Sequence, residues 1–311
     1  HPAPSMATNP FVLRQGVRMK IGLVLPQTEI GDDPAVVRDY AQTAEDLGYS
    51  HILAYDHIVG ADVSNRPNWQ GAYQLKDQFH EPFVLFSYFA AFTTRLELVT
   101  GVIILPQRQT VLLAKQAAAL DVLSGGRLRL GVGVGWNEVE YTALNENFKN
   151  RGRREEEQIE VMRLLWTQPS VTFEGRWHHL PGVGINPLPV QRPIPVWLGG
   201  RSEPAYQRIA RIADGWLPQF RPDAQGVAIV EHVRELTRAA GRDPDQLGME
   251  SRLSLAQAPR EQWRADLERW QALGADYLSI NTMGMGLSPR EHIATIERVY
   301  RELGVAEFNR G

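Results

Sequence analysis

Short apolar runs alternate along this chain with longer segments whose apolar residues recur every three or four positions. Residues 96 to 136 (LELVTGVIILPQRQTVLLAKQAAALDVLSGGRLRLGVGVGW) show the pattern most plainly. Leu96 to Leu105 reads as a strand, Val111 to Leu123 as a helix and Leu128 to Val134 as a second buried strand. Ser124-Gly125-Gly126 ends the helix, because glycine accepts the left-handed conformation of a C-cap. Two strands joined through such a helix form a parallel βαβ unit. Glycines lie within both strands, at Gly101 and at Gly131, Gly133 and Gly135. Glycine inside a strand marks a bulge or a close backbone approach, so a flat ligand is expected over this pair.

The same alternation fills the rest of the chain. Lys20 to Pro26 is a strand, and Asp33-Pro34 opens a helix that buries Val37, Tyr40, Ala41, Ala44 and Leu47. His51 to His57 is the next strand, and Phe83 to Thr93 is a helix apolar nearly all round. Arg153 to Thr167 is helical, and Val171 to Leu180 alternates around Gly175 as a β-hairpin. Strands follow at Pro195 to Leu198, Gly215 to Phe220, Met249 to Leu255 and Tyr277 to Thr282. Helices follow at Pro204 to Ala213, Val227 to Ala240 and Pro259 to Leu273, and a last one after the capping box Ser288-Pro289-Arg290-Glu291. Eight strands alternating with eight helices predict an α/β fold, a (β/α)8 TIM barrel, as one domain over residues 19–311. Residues 1–18 have no apolar signal core and read as a disordered leader.

Active sites of such barrels lie at the carboxyl ends of the strands. That rule selects Gln27, Asp56, His57, Thr100 to Ile104, Gly133, Val134, Gly135, Trp136, Asn137, Gly199 to Ser202, Gln219, Asn281 and Thr282. The 58–80 loop and the hairpin around Gly175 are expected to roof this end, bringing Trp69, Tyr73, Phe79, His80, Trp177, His178 and His179 towards it. His57 suits proton transfer or hydrogen bonding, with a packing histidine as the competing reading. His51 begins the same strand, at the structural end. Gly199-Gly200-Arg201-Ser202 stands between strand and helix, where backbone N–H groups can face a phosphate, or where a tight turn alone suffices. Glu250 and Arg252 either face the barrel interior as a paired charge or lie on the other face.

Composition narrows the chemistry. The 311 residues are 43% hydrophobic and carry a net charge of -3, which argues against a nucleic-acid surface. There is no cysteine, hence no disulfide and no thiol nucleophile. No apolar run reaches the roughly 20 residues of a membrane span, and a cytoplasmic protein is expected. No metal-ligand spacing, P-loop or GxSxG elbow is found, so no catalytic metal is expected. Gly131-x-Gly133-x-Gly135 lacks the GxGxxG spacing of a dinucleotide fold.

Taken in order, YDHI, FHEPF, TGVIILPQRQTVLLAKQAAALDVLSGGRLRLGVGVGW, FKNRGRREEEQIEVMRLLW, VTFEGRWHHL, PIPVWLGGRS and ADGWLP resemble the bacterial-luciferase-like flavin and deazaflavin oxidoreductases over about residues 20 to 303. The closest likeness is to their coenzyme F420-dependent branch. The resemblance implies a flavin-type ring at the strand ends, backed by a non-proline cis peptide expected at Gly101-Val102. It implies Asp56 and His57 as the polar pair beside the reactive part of the ring. Gln27, Thr100, Gly101, Val102 and Gly133 to Trp136 would line the cofactor, and Gly199, Gly200 and Arg201 would hold its phosphate. Trp69, Tyr73, His80 and Trp177 would face a mainly apolar substrate pocket. It also implies a homodimer through helices 83–93 and 111–123. The expected activity is hydride transfer between F420 and a small organic substrate. The alternatives are an FMN-dependent monooxygenase and a non-catalytic flavin-binding barrel.

Overall fold

The computed structural model describes residues 19–309, so the leader expected at 1–18 lies outside the described residues. Its strands are β1 (Lys20–Val24), β2 (His51–Ala54), β3 (Glu97–Thr100), β4 (Ile103–Ile104), β5 (Leu128–Gly133), β6 (Val171–Glu174), β7 (His179–Val183), β8 (Val196–Gly199), β9 (Gly215–Leu217), β10 (Gly248–Ser254) and β11 (Tyr277–Asn281). All except the β6–β7 hairpin pair in parallel, in the order β3-β2-β1-β11-β10-β9-β8-β5-β4, and a β3–β5 pairing closes the ring. Since β4 continues β3 after a break, this is an eight-stranded (β/α)8 barrel.

The helices are α1 (Pro34–Leu47), α2 (Pro82–Ala90), α3 (Thr110–Ser124), α4 (Glu138–Ala143), α5 (Arg151–Thr167), α6 (Glu203–Ile212), α7 (Ala224–Ala239), α8 (Trp263–Ala272), α9 (Pro289–Glu302) and α10 (Val305–Asn309). The short α4 and α10 are additions to the eight expected; each is too brief to show a helical period. Helix ends follow local chemistry. The Asp33 side chain caps α1 by accepting from the Ala35 N–H, and Gly48 closes it at φ 94°. Ser288 and Glu291 form the expected capping box on α9. Ile21, Ile52, Leu98, Leu130, Val196 and Leu278 face outward into the main core under the helices.

Inward residues form a second, smaller cluster of Val24, Leu53, Tyr55, Val99, Trp197, Leu217, Tyr277 and Met283. A polar layer lies with it at the amino end. His51 Nε2 is 3.1 Å from Glu250 Oε1 and 2.9 Å from Ser279 Oγ, and Ser279 Oγ donates to Glu250 Oε1 at 2.6 Å. Arg129 pairs with the other Glu250 oxygen and lies 3.9 Å from the Tyr277 ring centre. Glu250 does face inward, but its partners are Arg129 and His51 rather than Arg252. Such a network fills the barrel floor with matched charge, which is tolerable only because each member is hydrogen-bonded.

The third strand carries one residue more than its neighbour. Val99 pairs with Arg129 and Ile103 with Val132, four steps on one strand against three on the other. The Gly101–Val102 peptide within this bulge is cis, at the bond where the resemblance placed it. The glycines of β5 answer the bulge rung by rung. A Cβ on Gly131 would lie 2.0 Å from the Thr100 carbonyl oxygen. On Gly133 it would meet Val102 Cγ2 at 2.7 Å, and on Gly135 Ile104 Cγ2 at 2.8 Å. These glycines therefore make room for the neighbouring strand, a reason for glycine beyond the ligand contact expected of them.

Gly131→Ala is expected to cost about 1–3 kcal/mol or more, because the neighbour it strikes is backbone. Gly125→Ala, with nothing within 4 Å but a φ of 71°, should cost only about 1–2 kcal/mol of left-handed strain. Chemical denaturation of the two variants checks the order; equal losses would count against a close-packed third strand.

The hairpin departs from expectation. It follows helix α5 rather than a strand, and it lies along the outside of the barrel. Glu157 of α5 accepts from the backbone N–H groups of Arg176, Trp177 and His178 at 2.8–2.9 Å and contacts His178 Nδ1 at 2.8 Å. His178 Nε2 reaches Thr110 Oγ1 of α3 at 2.6 Å. One carboxylate thus gathers the turn onto α5. That holds Trp177 at the flank with Arg176 beside its ring, and His179 pairs outward with Glu174.

Candidate active site

The 58–80 loop does cover the carboxyl end of the barrel. Its Tyr73 and Phe79 rings lie 4.9 Å and 4.7 Å from the His57 ring, and Trp136 lies at 5.9 Å. Trp69 packs on Trp136 at 5.8 Å, and Gly71 passes against both indoles where a Cβ would collide. Together His57, Ile58, Val59, Gly60, Tyr73, Gln74, Asp77, Phe79 and Asn137 line a cleft of about 80 Å³. Neither His80 nor Trp177 is among these lining residues. The His80 carbonyl accepts a long 3.4 Å bond from Gln27.

His57 is held by one carboxylate. Its Nδ1 lies 3.0 Å from Glu140 Oε1, with the His57 side chain 12% exposed and that of Glu140 1%. The other Glu140 oxygen accepts from Gln107 Nε2 at 3.2 Å. A carboxylate only accepts, so it fixes the proton on Nδ1 and leaves Nε2 as the working nitrogen of the ring. Asn137 caps α4 by accepting from the Val139 N–H, which brings Glu140 beneath His57.

Asp56 is buried and works on the protein side. Its Oδ2 accepts from the Ile104 N–H at 2.9 Å, just past the bulge, and its Oδ1 accepts from Arg108 at 2.8 Å. Arg108 also donates to Glu81 at 2.8 Å, and Glu81 caps α2. The chain therefore ties the end of β2, the bulged strand and the start of α2 into one charged clamp. This makes Asp56 a positioning residue for the platform. Gln27 is likewise engaged, accepting from the Tyr55 N–H at 2.6 Å. Thr100 Oγ1 donates to the Gly131 carbonyl at 2.7 Å, and the Val134 carbonyl accepts from Tyr141 at 2.7 Å.

Val102, carried by the bulge, sits between Gly133 and Gly199, whose Cβ atoms would lie 2.7 Å and 3.0 Å from it. Gly199 and Gly200 lead into α6, with Gly200 at φ 144°. Ser202 occupies the N-cap position without a side-chain capping bond, and Arg201 and Ser202 are exposed. This turn offers a hydroxyl, a guanidinium and a helix N-terminus, a donor set that fits a phosphate. Glu140, Gln107 and Arg108 were missed as site residues. Their only sequence signal is a polar run within apolar surroundings, as in LPQRQ. Among the described residues, no group of three or more acidic or histidine side chains is placed to hold a metal ion.

Residues 19–255 match the model of the family described as luciferase-like monooxygenase. The chain belongs to this family. The chain is 33% identical over 265 residues to the Mycobacterium tuberculosis "Uncharacterized protein Rv0953c", covering 82% of this chain and 89% of that one. It is 29% identical over 209 residues to the FMNH(2)-dependent dimethylsulfone monooxygenase of Pseudomonas putida, covering 66% of this chain and 54% of that one. The F420-dependent secondary alcohol dehydrogenase, solved with an F420-acetone adduct, superposes with a TM-score of 0.72 at 16% identity over 92% of this chain and 99% of that one. Riboflavin lyase, solved with modified FMN and riboflavin, superposes with a TM-score of 0.77 at 18% identity over 93% and 92%. At these identities the structural likenesses support the barrel alone. The family model, not these superpositions, is what assigns the chain to the luciferase-like monooxygenases. Among the described residues, no helix is long and apolar enough to cross a membrane.

Proposed function

We propose that this luciferase-like protein transfers a hydride between coenzyme F420 and a small organic substrate. The observation that carries the reading is His57, oriented by Glu140 through Nδ1 and enclosed by Tyr73, Phe79 and Trp136 beside the bulged strand. The residues present fit a flavin-type group: the bulge at Gly101–Val102 offers backbone as a backing surface, and Arg201 with Ser202 offers donors for its phosphate. Gly133, Val134, Gly135 and Trp136 flank the same surface, with Gln27 and Asp56 holding it from behind. When bound, the deazaflavin supplies the hydride chemistry. The protein then binds, orients and excludes water. Nε2 of His57 would donate a proton to the substrate as it gains a hydride, or accept one from it in the reverse, oxidative direction, while Glu140 keeps the ring in place. Tyr73 and Trp69 cover the substrate side.

FMN-dependent monooxygenation is the second reading, favoured by the Pseudomonas relative named for reduced FMN. A titration with F420 and with FMN, side by side, separates the two. Preferential binding of F420 is expected. Preference for FMN would move the chain to the oxygenase reading, and oxygen uptake would then be the assay.

The homodimer is part of the same proposal. Val84 of α2 and Leu112 and Leu123 of α3 are 71%, 57% and 72% exposed. Apolar side chains this open, on two packed helices, favour a covered face. Light scattering at micromolar concentration should give twice the chain mass; a monomer would remove the interface.

A further inference from the structure

The barrel interior carries charge at two levels of β10. Glu250 and Arg252 are two residues apart and share its inward face. Glu250 belongs to the floor and is matched by Arg129 and His51. Arg252 stands one step nearer the carboxyl end. Its NH1 donates to Tyr55 Oη at 2.7 Å, and its guanidinium lies 5.4 Å from the Tyr55 ring centre. The contrast with the other arginines of the inner surface is plain. Arg129 has Glu250, and Arg108 has Asp56 and Glu81. Arg252 makes no ion pair with a carboxylate among the described residues; Glu250 acts on it only across the barrel floor and is itself paired with Arg129, while arginine stays charged.

A guanidinium in a partly buried site with one neutral hydrogen-bond partner keeps donors available and has no carboxylate in contact with it. Its planar fork matches a carboxylate. The surroundings complete the specificity. Val99, Leu217, Met283, Phe79 and Val102 belong to the cluster around Tyr55, a wall for an apolar body. Tyr73, whose hydroxyl is pushed up to about 12 by burial, with the Arg252 charge opposing, joins this wall to the His57 cleft.

We propose that Arg252, with the Tyr55 hydroxyl, forms a subsite inside the barrel mouth that binds the carboxylate of a monoanionic organic acid. Resting on the oxidoreductase reading, this names the substrate class: an apolar body bearing one carboxylate. One cation without an ion-pair partner suits one negative charge better than a phosphate monoester with nearly two.

The test is calorimetric binding of benzoate, benzamide and phenyl phosphate to the purified full chain, and to Arg252→Gln and Arg252→Lys, at fixed ionic strength. Benzoate is expected to bind the unsubstituted chain at least tenfold more tightly than benzamide. Arg252→Gln should erase that preference at an unchanged melting temperature, and Arg252→Lys should retain part of it. Equal binding of benzoate and benzamide, or a preference that survives in Arg252→Gln, would overturn the subsite. Tighter binding of phenyl phosphate would overturn the monoanion class. Should both arginine variants fail to fold, Tyr55→Phe takes their place; a severalfold loss of benzoate affinity is expected, and no loss would count against the subsite. F420 and FMN titrations of the same samples separate the two readings. Selective benzoate binding without either cofactor would sink the oxidoreductase reading and leave the subsite. Cofactor binding that weakens tenfold in Arg252→Gln, with benzoate preference intact, would assign Arg252 to the cofactor instead.

Discussion

Glu250→Ala is expected to destabilise the barrel by about 3–5 kcal/mol, because it removes the main counter-charge of a buried arginine. For a domain of this size, with about 2.1 cal/mol/K of unfolding entropy per residue, that corresponds to a fall in melting temperature of roughly 5–8 °C. Of its carboxylate contacts Arg129 would keep the longer one to Glu97, whose Oε2 lies 3.7 Å from Arg129 Nε. Glu250→Gln preserves shape and the Ser279 bond, so it should lose less. Replacing Arg129 and Glu250 together by methionine should lose less than the two single changes added. Additive losses in that cycle would show that the floor is not a coupled unit. The pH dependence has a definite sign. Burial pushes the Glu250 carboxyl up, but the charges of Arg129 and then His51 outweigh it and hold it well below the usual carboxylate range. Below the ordinary value of 4.5 the unfolded chain takes up a proton that the folded chain refuses. This contribution is therefore complete above about pH 4.5 and is lost as pH falls further, and the alanine variant should lack that part of the acid profile.

His57→Ala is expected to lower turnover by about 10²–10⁴-fold, the range for loss of a positioned proton-transfer group. Cofactor affinity should change far less, since the turn proposed to hold the cofactor phosphate, Gly200 to Ser202, is elsewhere. Glu140→Gln tests the positioning role separately. It keeps an acceptor near His57 Nδ1 and removes the charge, so it should give a smaller drop in turnover and a shifted pH–rate profile. Equal turnover in His57→Ala would take the imidazole out of the chemistry. A loss confined to KM would make it a wall of the cleft and nothing more.

Much of this architecture was legible because each element carries its own period. The capping residues Asp33, Ser288 and Glu291 state where helices begin, and Gly48 and Gly125 where they stop. The strand ends then locate the site, and Asp56, His57 and the Gly101–Val102 bulge all fall there. What the sequence concealed was partnership. Nothing along the chain ties Glu140 to His57, 83 positions away, or Arg129 to Glu250, 121 positions away. The hairpin shows the same limit: its alternation marks a hairpin, while contacts with Glu157 and Thr110, distant in sequence, help to decide where it lies. The glycines of β5 announce a close approach, and the structure shows the third strand as one neighbour that requires it.

The extra residue in the third strand has a consequence for how this sequence tolerates change. Leu98 and Ile103 both belong to the outer core, while Val99 and Val102 both belong to the interior. A regular strand repeats every two residues and would put Val99 and Ile103 on the same side. The bulge therefore takes up the extra residue, and the strand beyond it is back in phase with β5. Deleting one residue between Val99 and Ile103 would leave three steps on each strand, so Ile103 and all that follows would keep their faces and their register with β5, and what would be lost is the bulge itself. Substitution at the mouth can change which molecule is admitted; a change in length here would remove the platform itself.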